Sequence, residues 1–361
     1  MNILFICGSA EPGKDGVGDY IRRLCGELLR RGHQAQILSL CDKHASCFFT
    51  ENQFIEGSPV IVSRIPIGSS YNQQQAWTQE ILNAAPVDWI SLQFVPYSFH
   101  PKGLPFWLPG FLNKLKGTHQ WHLMFHELWI GIEREAAFKK KCVGFLQKIL
   151  IRKLKKSIAP QVVHTQSKIY QHYLSKIAIP SYYLPLFGNI SVTASKTRDP
   201  ESLVFVVFAT IHDKAPFEDL VIDLKKEMQY LNQETIFIFV GRHGAMLSTW
   251  ITILDKYAIQ YEVLGSASEE KISQVLMNGD YGISSTPYKI SDKSGVLAAM
   301  REHRLNIISV AKPWVDKEDV SVSFDDIIHY KKGNLRLITT PETETNRLSN
   351  VCDVFLKSIH S

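Results

Sequence analysis

The sequence contains no two cysteines spaced as C-x-x-C. Its six cysteines (Cys7, Cys25, Cys41, Cys47, Cys142 and Cys352) are scattered. No zinc site or disulfide framework is written in that spacing, which fits a reducing cytoplasm. No apolar run reaches the roughly 18 residues that a spanning helix needs. Met1 to Gly8 has no basic stretch and too short an apolar run for a secretory leader. A large excess of charge is missing too: 40 basic against 35 acidic residues leave +5. That excludes a dedicated nucleic-acid binder and still suits an anionic ligand. The glycine motif after the first apolar run has no third glycine at the dinucleotide spacing. Nor does Gly-Lys-Ser/Thr occur, so neither an NAD fingerprint nor a P-loop is present. His126-Glu127 does not open H-E-x-x-H, because residue 130 is isoleucine. Strand alternation puts His119 opposite His122 and His126, and no carboxylate completes a ligand set, so no metal is expected.

What remains is ordinary globular composition, 45% apolar and 21% charged over 361 residues. At roughly 150 residues per domain, two domains are expected. Ile3 to Cys7 is a continuous apolar run ending at Gly8, as in a strand buried on both faces of a parallel sheet. Glu11 to Asp19 reads as a polar glycine loop, too irregular for regular structure. From Tyr20 an amphipathic helix follows, with Ile21, Leu24, Leu28 and Leu29 on one face and Arg22, Arg23, Arg30 and Arg31 off it. Gly32 stops it, and Ala35 to Leu40 is the next strand. Further strands are expected at 88–94, 121–125, 161–165 and 182–184.

Two other stretches stand out in this half. Between Phe94 and Leu108 lies a proline-broken aromatic loop with Tyr97, Phe99, Phe106 and Trp107; it suits stacking on a sugar, contact with a lipid or plain surface packing. Residues 139–156 carry eight lysines and arginines and no acid. With Val143, Leu146, Ile149, Leu150 and Leu154 on the other face, this reads as a helix for a membrane surface or as a solvated helix packed on the sheet. The expected location is therefore cytoplasmic, with peripheral contact at the inner membrane face.

A polar linker over Asn189 to Ser202 precedes a second alternation of strands and helices, with strands at 203–208, 236–240, 261–266, 281–285 and 306–309. The loops after parallel strands emerge on one sheet edge, where ligands bind. Thr210, Lys214, Gly241, Gly265, Ser294 and Gly295 are thereby candidates for one cleft. Ser291 to Met300 is a polar turn running into an alanine-rich helix, so the backbone of Ser294, Gly295 and Val296 suits a diphosphate at a helix N-terminus. The same pattern also describes an ordinary strand–helix junction, and Lys214 an ordinary solvated lysine. His126 ends a strand on the ligand edge of the first half, where it can bond a hydroxyl or stay satisfied in the core.

Taken in order, several pieces resemble the GT-B glycosyltransferases, most closely the retaining family-four group. They are Gly16-Val17-Gly18-Asp19-Tyr20, Arg31-Gly32-His33, His126, Lys214-x-x-Phe217-x-x-Leu220, Phe239-Val240-Gly241, Val263-Leu264-Gly265, and Asp280 with Gly282-Ile283-Ser284. The resemblance spans nearly the whole chain. It implies an α/β fold of two facing, doubly wound Rossmann-like domains with a cleft between them. Residues 1–190 would form the acceptor-side domain, 200–345 the nucleotide-sugar domain, and 346–361 a helix packing back on the first. It implies that Gly16, Val17 and Gly18 approach the donor diphosphate, that Lys214 grips it with His212 or Thr210 near the usual arginine place, and that Leu264 and Gly265 hold the base. His126 and Lys214 would carry catalysis, with Asp19 and Tyr97 on the acceptor side. The implied reaction is metal-independent transfer of a sugar, with retention, from a nucleotide-diphosphate sugar to a saccharide or lipid-linked acceptor; no cofactor is required. The departure is a missing pair of glutamates, whose places fall at Ile290 and Ala298. Glu302, one turn on from Ala298, is a candidate to face the same side. The missing pair leaves a second reading open, a non-catalytic nucleotide-binding partner of another transferase.

Overall fold

Continuous apolar strands can be buried on both faces only inside a parallel sheet covered by helices, and this chain builds two such sheets. The structure is a computed structural model; it describes residues 1–360 except Lys116, 198–201, Asn232 and 338–346. The chain divides into two units. One comprises Met1–Pro185, Asp316–Val320 and the residues from Leu348; the other comprises Leu186–Val315 and Ser321–Arg347. The expected domain limits at 200 and 345 lie outside the described residues.

The first unit contains β1 (Asn2–Cys7), α1 (Gly16–Arg30), β2 (Gln34–Asp42), β3 (Phe49–Ile55), β4 (Ser58–Pro66), α2 (Tyr71–Ala84) and β5 (Trp89–Phe94). It continues with α3 (Pro96–Phe99), α4 (Leu108–Asn113), β6 (Gln120–Phe125), α5 (Phe138–Ile158), β7 (Val162–Thr165), α6 (Lys168–Ser175) and β8 (Tyr182–Tyr183). The sheet order is β3-β4-β2-β1-β5-β6-β7-β8, parallel throughout except for the β3–β4 hairpin. Strand order reverses between β1 and β5, which makes that crevice the ligand position of this unit.

Two elements here were not foreseen and two expectations fail, each for an identifiable reason. The hairpin and α2 had no place in the sequence reading. Glu56 and Gly57 both take positive φ, as a two-residue hairpin turn demands, and Ser70 with Gln73 forms a capping box at α2. The glycine loop is not a loop to its end: Asp15 caps a helix that begins at Gly16. Arg22 is not on an exposed face but buried, donating to the Ala10 carbonyl at 2.8 Å and pairing with Asp19.

The α5 helix also divides differently from the expected pattern. Its buried face is Gly144, Gln147, Leu150, Ile151, Leu154 and Ile158. Opposite lies a second apolar stripe: Phe138 is 81% exposed, Phe145 58% and Leu146 39%, with Cys142 exposed between them. Among the described residues no helix is long and apolar enough to cross a membrane.

The second unit contains β9 (Ser202–Phe208), α7 (Phe217–Leu231), β10 (Glu234–Val240), α8 (Leu247–Lys256), β11 (Gln260–Gly265), α9 (Glu269–Met277) and β12 (Tyr281–Ser284). A 3-10 turn (Tyr288–Lys293) leads into α10 (Gly295–Glu302), β13 (Asn306–Ser309) and β14 (Ile327–His329). All six strands are parallel, in the order β11-β10-β9-β12-β13-β14. Numbered from the first strand of the unit this is 3-2-1-4-5-6, the Rossmann order. One face buries Phe205, Phe217, Phe237, Phe239 and Trp250, the other Val206, Leu276, Leu297, Met300 and Ile307. Finally α11 (Leu348–His360) returns to the first unit, where Phe355 meets Phe5 and His122 at 6.0 and 5.2 Å between centroids.

Candidate functional site

In a Rossmann sheet the crevice opens where strand order reverses, here between β9 and β12. A cavity of about 230 Å³ lies there. Its wall is the end of β9 and the following loop (Phe208, Ala209, Thr210, His212), the end of β12 and the two residues after it (Ile283 to Thr286), Trp250 of α8, and Ser294 and Val296 at the start of α10. Thr210, His212, Ser294 and Val296 therefore stand together, as the sequence implied. Lys214, Gly241, Leu264, Gly265 and Gly295 do not line the cavity.

The hydroxyls of β12 knit this wall. Ser285 Oγ accepts from the His212 N–H at 2.8 Å and donates to the Thr210 carbonyl at 3.4 Å. Ser284 Oγ accepts from the Thr286 N–H at 3.1 Å. These residues were missed, although their signal was present: a Ser-Ser-Thr run at the carboxyl end of a buried strand. Gly241 and Gly265 act one layer below. Gly241 has φ +97°, and a Cβ there would meet Ala209 backbone at 3.2 Å. Its N–H donates to the Gly265 carbonyl at 2.7 Å. His243 is buried, which lowers its pKa and keeps it neutral, and its Nδ1 holds the Ala209 carbonyl at 2.8 Å. Lys214 is exposed with φ +58° on the same loop as Thr210 and His212.

The helix start needs a correction. Ser294 caps α10 by accepting from the Leu297 N–H, and its own N–H donates to Ser291 at 3.3 Å. Of the three amides expected to hold an anion, Gly295 and Val296 keep theirs available and Ser294 does not. A Cβ at Gly295 would meet nothing nearer than 3.8 Å, so this glycine is not required by space. Glu302 does not face the cavity: its Oε1 accepts from the Gly188 N–H at 2.9 Å, at the opposite end of the helix.

In the first unit, Asp15 Oδ1 accepts from the Val17 and Gly18 N–H groups at 3.0 and 2.8 Å. Two of the three amides expected to approach a phosphate are thus occupied, leaving Gly16, where a Cβ would meet nothing within 4 Å. A Cβ at Gly18 would lie 3.0 Å from the Ser9 carbonyl oxygen and 3.1 Å from Ala10 Cα, tight contacts with backbone. Asp19 pairs with Arg22 and accepts from the Gly13 N–H at 2.9 Å. His126 is buried after β6, with the Tyr20 ring edge-on at 5.2 Å. Both its nitrogens are engaged: Nε2 with Gln93 Oε1 at 2.8 Å and Nδ1 with Gln166 Oε1 at 3.1 Å. Tyr97, half-exposed on α3, follows β5.

The fold defined by these two units is the GT-B fold of Rossmann-like domains. No protein-family model matches the sequence, and no curated protein matches it at a significant level. Among solved structures, HepE from Anabaena in complex with UDP aligns over all of this chain and 90% of its own, at 12% identity and a TM-score of 0.56. The apo form of the lipopolysaccharide outer core galactosyltransferase WaaB aligns over all of this chain and 99% of its own, at 12% identity and 0.52. A glycosyltransferase from Rickettsia africae aligns over 99% of this chain and 88% of its own, also at 12% and 0.52.

Proposed function

We propose that this protein is a glycosyltransferase that moves a sugar from a nucleotide-diphosphate donor to a saccharide or lipid-linked acceptor, with retention and without a metal. The observation that carries this reading is the cavity at the β9–β12 crevice, walled by the hydroxyls of Thr210, Ser284, Ser285 and Ser294 and by Val296 at the start of α10, which suits a nucleotide diphosphate. HepE, of the same fold, is described in complexes with UDP and with UDP-glucose. Lys214, on the loop that frames the cavity, supplies the positive charge. In calorimetry, wild-type protein is expected to bind one of UDP, GDP or ADP. Lys214→Ala should weaken that binding by about 1.5–3 kcal/mol, the worth of a charged hydrogen bond. Equal affinity in the two proteins overturns the donor assignment. Turnover that survives EDTA, and a product whose anomeric NMR coupling matches the donor, are the outcomes expected of a metal-free retaining transfer.

The second reading, a non-catalytic nucleotide-binding partner of another transferase, is favoured by Asp15, which occupies two amides of the glycine segment, and by the absence of carboxylates at 290 and 298. Nucleotide binding without sugar transfer to any acceptor, together with a transferase recovered by pull-down, selects it.

The exposed face of α5 suits an anionic lipid surface. Phe138, Phe145 and Leu146 form an apolar wedge, and Arg152, Lys153 and Lys156 follow on exposed positions toward the C-terminal end. Lys153 also lies 5.7 Å from the half-exposed Phe106 ring. Cosedimentation is expected with phosphatidylglycerol vesicles and not with phosphatidylcholine, weakening with salt. The double variant Phe138→Ser, Phe145→Ser should lose most of it. Binding to heparin alone, or dimerisation removed by the same variant with no vesicle binding, counts against this assignment.

A further inference from the structure

Behind His126 runs a chain of buried polar groups that no packing requirement explains. Gln93 Nε2 meets Ser91 Oγ at 2.7 Å, Ser91 Oγ meets His122 Nδ1 at 2.7 Å, and His122 Nε2 meets His164 Nδ1 at 2.9 Å. With the His126–Gln93 and His126–Gln166 bonds this makes five hydrogen bonds through three neighbouring strands, β5, β6 and β7, and the turn after β7. Ser91, His122 and His164 are buried to within 1% of complete. Polar networks in a core are retained at a cost relative to apolar packing, so this one is best sought for what it does to its outer end. Burial pushes His122 well below its ordinary pKa and His164 to about 4, so both rings are neutral.

A neutral imidazole has one N–H, and a serine hydroxyl has one proton. Only two directions of the chain also give the Ser91 proton an acceptor. If Gln93 donates to Ser91, then Ser91 donates to His122 Nδ1 and His122 Nε2–H donates to His164. The Gln93 oxygen then accepts from His126 Nε2–H, and a turned-over Gln166 amide donates to His126 Nδ1. If His164 Nδ1–H donates instead, His122 Nδ1–H donates to Ser91, and Ser91 donates to a turned-over Gln93. That amide then donates to His126 Nε2, leaving the His126 proton on Nδ1, directed at Gln166. Either way, His122, His126 and His164 carry their proton on the same-named nitrogen. A mixed state sets two donors or two acceptors against each other, or makes Ser91 accept from both Gln93 and His122, which leaves its own buried proton without an acceptor.

We propose that Ser91, Gln93, His122 and His164 are positioning residues that hold His126 as one neutral tautomer, the state of its outer ring being set by the polarity of the whole chain. The relay itself stands on geometry; its bearing on turnover rests on the transferase reading above. Long-range ¹⁵N–¹H NMR of the histidine side chains tests the relay without any substrate. The expected spectrum has all three rings in the same single tautomer. In Ser91→Ala, which removes the middle of the chain, His126 should become a mixture of tautomers, and Ser91→Thr should restore one. In turnover, Ser91→Ala should lower kcat by about tenfold with nucleotide affinity unchanged, and Ser91→Thr should recover it. Different tautomers among the three rings in the wild type, or a His126 signal that Ser91→Ala does not alter, overturns the relay. An intact relay in a protein that transfers no sugar leaves the relay standing and removes the transferase reading.

Discussion

Arg64→Ala is expected to destabilise the protein by about 3–5 kcal/mol, the usual cost of leaving a buried charge without its partner. Arg64 on β4 donates from Nε and Nη2 to both oxygens of Asp42 at 2.9 and 3.1 Å, and also pairs with Glu11. The Asp42 side chain has no exposed surface and that of Arg64 only 5%. The same carboxylate accepts from the Ala10 N–H at 3.1 Å and the His44 N–H at 2.9 Å. It thereby ties the loop after β1 to the end of β2, beside the reversal of strand order. Burial alone would raise the Asp42 pKa, but the Arg64 hydrogen bonds and these amides outweigh it and bring it to about 2. A depressed carboxylate pKa gives stability that is complete above the unfolded value and is lost as pH falls through the folded one. Urea titrations should therefore find the gap between wild type and variant widest near neutrality and narrowing from about pH 4 to pH 2. A gap that does not change with pH would falsify the role of Asp42.

Gly144→Ala is the second large effect, about 3 kcal/mol or more, because the added Cβ meets backbone rather than a side chain that can turn away. It would lie 2.0 Å from the Ile130 carbonyl oxygen. Relief requires α5 to move from the loop it packs on, and Gln147 then loses its bonds to the Ile130 N–H at 2.9 Å and the Gly103 carbonyl at 3.1 Å. Chemical denaturation measures the loss, and a midpoint equal to that of the wild type contradicts the packing. Vesicle binding should fall with it, since the wedge of Phe138 and Phe145 is aimed by the buried face of the same helix.

The α/β alternation was legible because strands buried on both faces must be apolar at every position, as Ile3 to Cys7 and Leu203 to Phe208 are. The β3 strand was not, since it is an edge strand whose buried residues are few and polar: Gln53 is buried and Phe54 is exposed. Glycine misled in opposite directions. Gly16 and Gly18 suggested a loop, yet an aspartate in front of them starts a helix, and the capped amides are then no longer open to a phosphate. In α5 the expected apolar face mixed two real ones; the buried stripe is set by Gly144 and Gln147, residues that a hydrophobic pattern does not count. At the candidate donor site Thr210 was legible from a strand end, Ser294 and Val296 from a helix start, and His212 only through the family resemblance, whereas Trp250 was not, because it reaches the cavity from a helix whose place only the tertiary fold fixes. The histidine chain was equally hidden: Ser91, His122 and His164 come into contact only through strand register.

The return of α11 to the first unit has a consequence for biosynthesis. Phe355 packs on Phe5 and His122, and Arg31 reaches both Asp353 and the Ser349 carbonyl of this helix. The ribosome makes the first unit's sheet early but supplies this helix only after the whole of the second unit. A nascent chain therefore carries an uncovered apolar face while the whole second unit is being made. The unit begun first is completed only after the second has been made, and it is during that interval that chaperones should find this protein.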